Sequence, residues 1–157
     1  MRWPLVAVAM LTSAPAVAGW QGAEWGMTVD AAAARVRGMS HEDGRPAYSS
    51  SRHQVRLSGP YSAGNHRFRA DLAFNSDGKL DLVELMPTDM GKCWPLRADL
   101  RDRYGVPHEA PSNAIVDVNR WRVPAENNVV EITIMKGGST TCVLKYRPLS
   151  TANTRGL

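Results

Sequence analysis

Arginine is the residue whose spacing most suggests chemistry in this 157-residue chain. Arg52 and Arg56 alternate with Val55 and Leu57, and Arg67 and Arg69 alternate with Phe68, Ala70, Leu72 and Phe74. A two-residue period sends successive side chains to opposite faces of a strand. A hairpin over Arg52–Phe74 would therefore gather Val55, Leu57, Phe68, Ala70, Leu72 and Phe74 on one apolar face. Arg52, Gln54 and Arg56 would share the other face with Arg67, Arg69 and Asp71. Guanidinium groups so arranged can grip carboxylate or phosphate oxygens in pairs. The competing explanation is a charged surface that keeps strands from pairing edge to edge. Arg52, Arg56, Arg67 and Arg69 are the candidate ligand- or partner-binding residues.

Other chemistry is harder to find. Asn75-x-Asp77-Gly78, with Asp81 and Glu84 beyond it, comes nearest to a calcium loop. Its first ligand position falls on Ala73, which has no side-chain oxygen, and its flanks read as strands. It is better read as a hairpin turn. Lys136-Gly137-Gly138-Ser139 lacks the spacing of a phosphate loop, and no Gly-x-Ser-x-Gly elbow occurs. His41, His53, His66 and His108 are scattered, with no pair at the i, i+4 spacing that binds metal on a helix. Ser, His and Asp are too widespread for a triad to be chosen from sequence. The expectation is a protein that is not an enzyme, with no catalytic residue, no metal and no cofactor.

The first eighteen residues have the form of an export signal. Met1-Arg2 is followed by the apolar run Leu5 to Leu11 and by the small-x-small site Ala16-Val17-Ala18, with cleavage expected after Ala18. That run is too short to span a membrane, which takes roughly 20 residues, and no later run is longer. Removal leaves 157 − 18 = 139 residues and a formal charge of 18 − 15 = +3. The balance favours weak attraction to anionic surfaces and gives no dense basic block for nucleic acid. A periplasmic or secreted protein meets an oxidising environment, so Cys93 and Cys142 are expected to form a disulfide. Neither has a second Cys or a His at zinc-ligand spacing.

The elements that would position these residues follow in order. Thr28 can cap a helix through the alanines Ala31–Ala34, ended by Gly38. Trp20 and Trp25 ahead of it are expected as core anchors. Residues 39–50 are polar, without a sustained period, and read as a loop. Three strands follow, with a parity break between Leu82 and Val83 that suggests a bulge. Cys93, Leu96, Leu100 and Tyr104 then recur at helical spacing, and Gly105 and Pro107 stop that helix. Three further strands are expected around Val116–Val123, Val130–Ile134 and Thr141–Tyr146, separated by the turns at 124–128 and 136–139.

The order suggests an α+β fold of two tandem α-β-β-β units, antiparallel meanders each covered by a short helix. The single domain would cover 19–148, with halves 19–87 and 88–148 and a flexible tail at 149–157. The order, the Trp25-Gly26-Met27-Thr28 entry and the Tyr104-Gly105-Val106-Pro107 exit resemble small exported bacterial proteins with β-lactamase-inhibitory-protein-like and BamE-like architecture. That resemblance implies a scaffold or binding module rather than an enzyme. The functional expectation is a soluble, monomeric, exported binding module whose partner is a protein or an anionic envelope component. The alternative is an inhibitor or immunity-type protein that blocks a secreted enzyme.

Overall fold

The computed structural model describes residues 18–149, so all but the last residue of the expected export signal and all but the first residue of the expected tail lie outside the described part. The chain begins with a two-residue hairpin, β1 (Gly19–Trp20) and β2 (Ala23–Glu24), followed by α1 (Val29–Arg35). Four strands come next: β3 (Ser40–Ala47), β4 (Ser50–Ala63), β5 (His66–Phe74) and β6 (Leu80–Pro87). A single 3-10 turn leads into α2 (Cys93–Tyr104). The chain then forms β7 (Val116–Val123), β8 (Asn128–Met135) and β9 (Thr141–Pro148).

The tandem α-β-β-β arrangement is not what forms. Strands β3 to β9 make one seven-stranded antiparallel sheet in the order β3-β4-β5-β6-β9-β8-β7. The fold is mostly β, with two short helices on one face of that sheet. Two features overturn the expectation. The 39–50 stretch contributes β3, paired to β4 through irregular register, so the first meander has four strands. Its Gly44, Pro46 and mixed charges hid any two-residue period. The second feature is the pairing of β6 with β9 through Val83–Tyr146, Glu84–Lys145 and Leu85–Leu144, which fuses the two meanders.

One face of the sheet carries the core. Leu57, Phe68, Ala70, Leu72, Phe74, Leu80, Val83 and Leu85 meet Trp121, Val130, Ile132, Ile134, Cys142 and Leu144 there. Ala32 and Val36 cover it from the α1 side, and Leu96 and Leu100 from α2. Trp20 is buried in this core and Trp25 packs against it, donating its indole N–H to Asn128 Oδ1 at 2.8 Å. Gly59 lets β4 pass the turn after α1, because a Cβ there would lie 2.3 Å from the Gly38 carbonyl oxygen.

Helix α2 is fastened to the sheet along its length. Cys93 is bonded to Cys142 of β9, with the Cα atoms 5.8 Å apart. His66 Nε2 lies 2.7 Å from Asp99 Oδ2, and Arg97 Nη1 reaches both Asp117 oxygens at 3.3 Å. Arg101 Nε donates to Asn119 Oδ1 at 2.9 Å, and Trp121 donates to the Gly105 carbonyl at the helix end. Gly105 ends the helix with φ +78° and ψ −154°, a region that essentially only glycine adopts.

Two bulges set the opposite face. Arg56 is an extra residue of β4, because Val55 and Leu57 pair with the adjacent Ala73 and Leu72. Asp81 is an extra residue of β6, because Leu82 and Leu80 pair with Ala73 and Phe74. An extra residue reverses the facing of all that follows. Val55 and Leu57, expected on one face, are therefore on opposite faces. Val55, Ala73 and Leu82 join Ala47 in a small second cluster on the open side.

The disulfide spans 49 residues, and a loop of that length contributes about 4 kcal/mol in the chain-entropy account. Alkylation without reductant is expected to label no thiol in the native chain, while the Cys93→Ser/Cys142→Ser protein should lose stability near that amount in denaturant melts. Two labelled thiols in the native chain would contradict the bridge.

Candidate functional site

The open face of the sheet carries a row of charged and polar residues that crosses nearly every strand. Ser58, Asp71, Glu84, Lys145, Glu131 and Arg120 are successive cross-strand partners. The row continues onto Glu109, whose segment bridges the outer edge of β7. Two residues along, Arg122 and Arg147 flank Val129 as its partners on β7 and β9.

Glu131 is the hub of the row, buried beneath three cations. Its Oε2 accepts from Arg120 Nε at 2.6 Å and Arg147 Nη2 at 3.3 Å, and its Oε1 pairs with Lys145. Thr133 Oγ1 donates to Oε1 at 3.2 Å. Burial alone would raise the carboxyl pKa, but Lys145 and Arg120 outweigh it and hold the group at about 2. For Arg120, burial works against the charge, and its hydrogen bonds to Glu131 and Glu109 more than restore it, so its pKa is raised.

The other two buried carboxylates of the row organise its far end. Asp71 takes Arg45 Nη2 at 2.8 Å, Arg69 Nη2 at 3.2 Å and the Ser58 hydroxyl at 2.6 Å. Glu84 takes the backbone N–H groups of Tyr48 and Ser49, each at 2.7 Å, and the Ser49 hydroxyl. Those contacts draw the β3–β4 hairpin tip over the open face.

The tip, the bulged β6 and the β7–β9 surface enclose a half-open cleft of about 830 Å³. Its polar lining includes Ser49, Ser50, Ser51, Arg52, His53, Asp81, His108, Glu109, Arg120, Arg122, Lys145 and Arg147, over a floor of Leu82 and Val129. Arg52 and Arg122 make no hydrogen bond or ion pair among the described residues.

The cleft also contains a serine, a histidine and an aspartate in sequence. Ser50 Oγ is 2.6 Å from His53 Nδ1, and His53 Nε2 is 2.8 Å from Asp81 Oδ1. Two details weigh against a nucleophilic relay. The His53–Asp81 contact is not aligned as a hydrogen bond, and Asp81 Oδ1 is left without one. The amides just before Ser50, those of Tyr48 and Ser49, are bound to Glu84 and cannot receive an oxyanion. Asn75 Nδ2 holds the other Asp81 oxygen at 3.1 Å, so the set ties the hairpin tip to the 75–79 turn.

The structure does not gather the four arginines read from the sequence. Arg52 lines the cleft, whereas Arg67 pairs with Ser62 at the far end of β4 and lines a separate hollow with Asp89 and Lys92. Ten residues of strand, about 30 Å, separate the two. Arg69 is committed to Asp71, and Arg56 is the exposed extra residue of a bulge. The cations that do converge were visible as Arg120-x-Arg122 and Lys145-x-Arg147, both at strand spacing. No family model, curated protein or solved structure matches the chain.

Glu131→Gln would leave three cations facing one another and is expected to cost about 3–5 kcal/mol in denaturant melts. The native chain should lose stability in acid for the same reason. With its pKa depressed from 4.5 to about 2, Glu131 stabilises the fold fully above pH about 4.5, and that contribution of about 3 kcal/mol fades as pH falls towards 2. Acid melts of Glu131→Gln should lack this step.

Proposed function

We propose that the chain is an exported, non-enzymatic binding module that holds an anionic partner in the cleft on the open face of its sheet. The observation that carries this reading is the pair Arg52 and Arg122, cationic residues that line the cleft and have no acidic partner among the described residues. Both are exposed, and they line the cleft together with Arg147, Lys145 and the apolar Leu82 and Val129, a setting that suits charge-assisted hydrogen bonds to a ligand. The disulfide supports the exported part of this reading, because it suits an oxidising environment. Among the described residues no helix is long and apolar enough to cross a membrane.

One observation favours a second reading, an inhibitor that inserts the β3–β4 tip into a secreted enzyme. Tyr48 is 59 % exposed at that tip while its backbone is held by Glu84. An exposed aromatic side chain on a fixed backbone is a common binding anchor. A Tyr48→Ala variant that lost an inhibited enzyme but kept polyanion binding would favour this second reading.

Retention on an immobilised polyanion such as polyglutamate tests the first reading. Arg52→Glu/Arg122→Glu should elute at clearly lower salt than the native chain, whereas Arg56→Glu/Arg67→Glu, with the same change of net charge, should elute at higher salt than that variant. Equal shifts from the two pairs would leave only general surface charge as the cause.

A further inference from the structure

The cleft has a charge to be matched as well as a sign. Its cations are Arg52, Arg120, Arg122, Lys145 and Arg147; its carboxylates are Asp81 and Glu109 at the rim, with Glu131 and Glu84 buried beneath. Leaving His53 and His108 aside, the sum is 5 − 4 = +1. Glu131 cannot accept a further strong donor, since Arg120, Lys145, Arg147 and Thr133 already occupy its two oxygens. Arg147 itself gives Glu131 only one long contact at 3.3 Å, and its Nε has no acceptor.

The donors are also numerous for one small cleft. Arg52 and Arg122 each offer a full guanidinium fork, and the Ser51 hydroxyl makes no hydrogen bond among the described residues. Arg122 and Arg147 stand two strands apart on either side of Val129, about 10 Å between their Cα atoms, so their long side chains can converge on one group. A carboxylate brings one negative charge and two oxygens. A phosphoryl group carries up to two charges and three oxygens, and those oxygens match the number of donors left without an acceptor.

We infer that the anion held in this cleft is a terminal phosphoryl group, a phosphate monoester or inorganic phosphate, seated on Arg52, Arg122 and Arg147 above Leu82 and Val129. This rests on the anion-binding reading and narrows it to one ligand chemistry. The apolar floor meets whatever carbon-bearing body the phosphoryl group is attached to.

Calorimetric titration of the full chain at constant ionic strength and pH 8 tests this with four probes: inorganic phosphate, phenyl phosphate, its methyl diester and polyglutamate. The monoester is expected to bind one per chain, at least about tenfold more tightly than the singly charged diester. Phenyl phosphate should also exceed inorganic phosphate, because the ring covers the floor. Arg122→Gln should weaken monoester binding about tenfold and Arg67→Gln should leave it unchanged. The Arg122 side chain makes no hydrogen bond or ion pair among the described residues, so its replacement reports on the ligand rather than on folding. Equal affinity for monoester and diester overturns the phosphoryl assignment. Binding of polyglutamate without binding of any phosphate overturns it too, yet leaves the anion-binding reading standing. If no probe binds, both fall.

Discussion

The open face of the sheet depends on one buried carboxylate. Without Glu131, the strand alternation of β7 and β9 would leave Arg120, Lys145 and Arg147 gathered around β8 with no acidic partner between them. Like charges held close together are destabilising. A single carboxylate between them removes most of that repulsion and fixes all three side chains, but it leaves positive charge over. The same residue thus makes the pairing of β7, β8 and β9 tolerable and keeps the cleft cationic. Further along the row, Glu84 binds the backbone amides of the β3–β4 tip, and Asp71 pairs with Arg45 of β3 and Arg69 of β5.

The two faces of the sheet divide the work. On the covered face, the disulfide, the Arg97–Asp117 and His66–Asp99 pairs and the Trp121 hydrogen bond attach α2 to strands from both meanders. That attachment holds β9 against β6 and makes one sheet of seven strands. The continuity matters for the cleft, because its lining comes from β4 and β6 on one side of the junction and from β7, β8 and β9 on the other. A cleft of that breadth needs a single, rigid, twisted sheet beneath it. The bulges at Arg56 and Asp81 add local bending and turn Val55 and Leu82 to the open side, where they support the hairpin tip.

Much of the local structure was legible in the residues. The alternation of Phe68 to Phe74, the stop of α2 at Gly105 and the pairing of Cys93 with Cys142 could each be read from them. The whole architecture was not. Nothing local in Val83–Leu85 or Leu144–Tyr146 says that these strands meet, since pairing between distant strands is a property of the assembled sheet. The strand β3 was hidden by Gly44, Pro46 and its charges, which suit an edge strand guarded against aggregation. The arginine face was misplaced for a related reason. Period two holds only while register holds, and one extra residue at Arg56 moved Val55 away from Leu57. The cleft's own cations, at 120, 122, 145 and 147, carried a clean two-residue period. They could be recognised as one cluster only once β7 and β9 were known to flank the same strand.

The central claim is that Arg52, Arg122 and the loosely held Arg147 are ready for an anion while Arg120 and Lys145 keep Glu131 as their internal partner. Arginine side-chain Nε–H resonances report this directly, because each guanidinium gives its own signal. On addition of a phosphate monoester at low salt, the signals of Arg52, Arg122 and Arg147 should move together and saturate with one affinity, while those of Arg56, Arg67 and Arg69 stay in place. Movement of Arg67 and Arg69 in their stead, or uniform small shifts across all the arginines, would contradict the account.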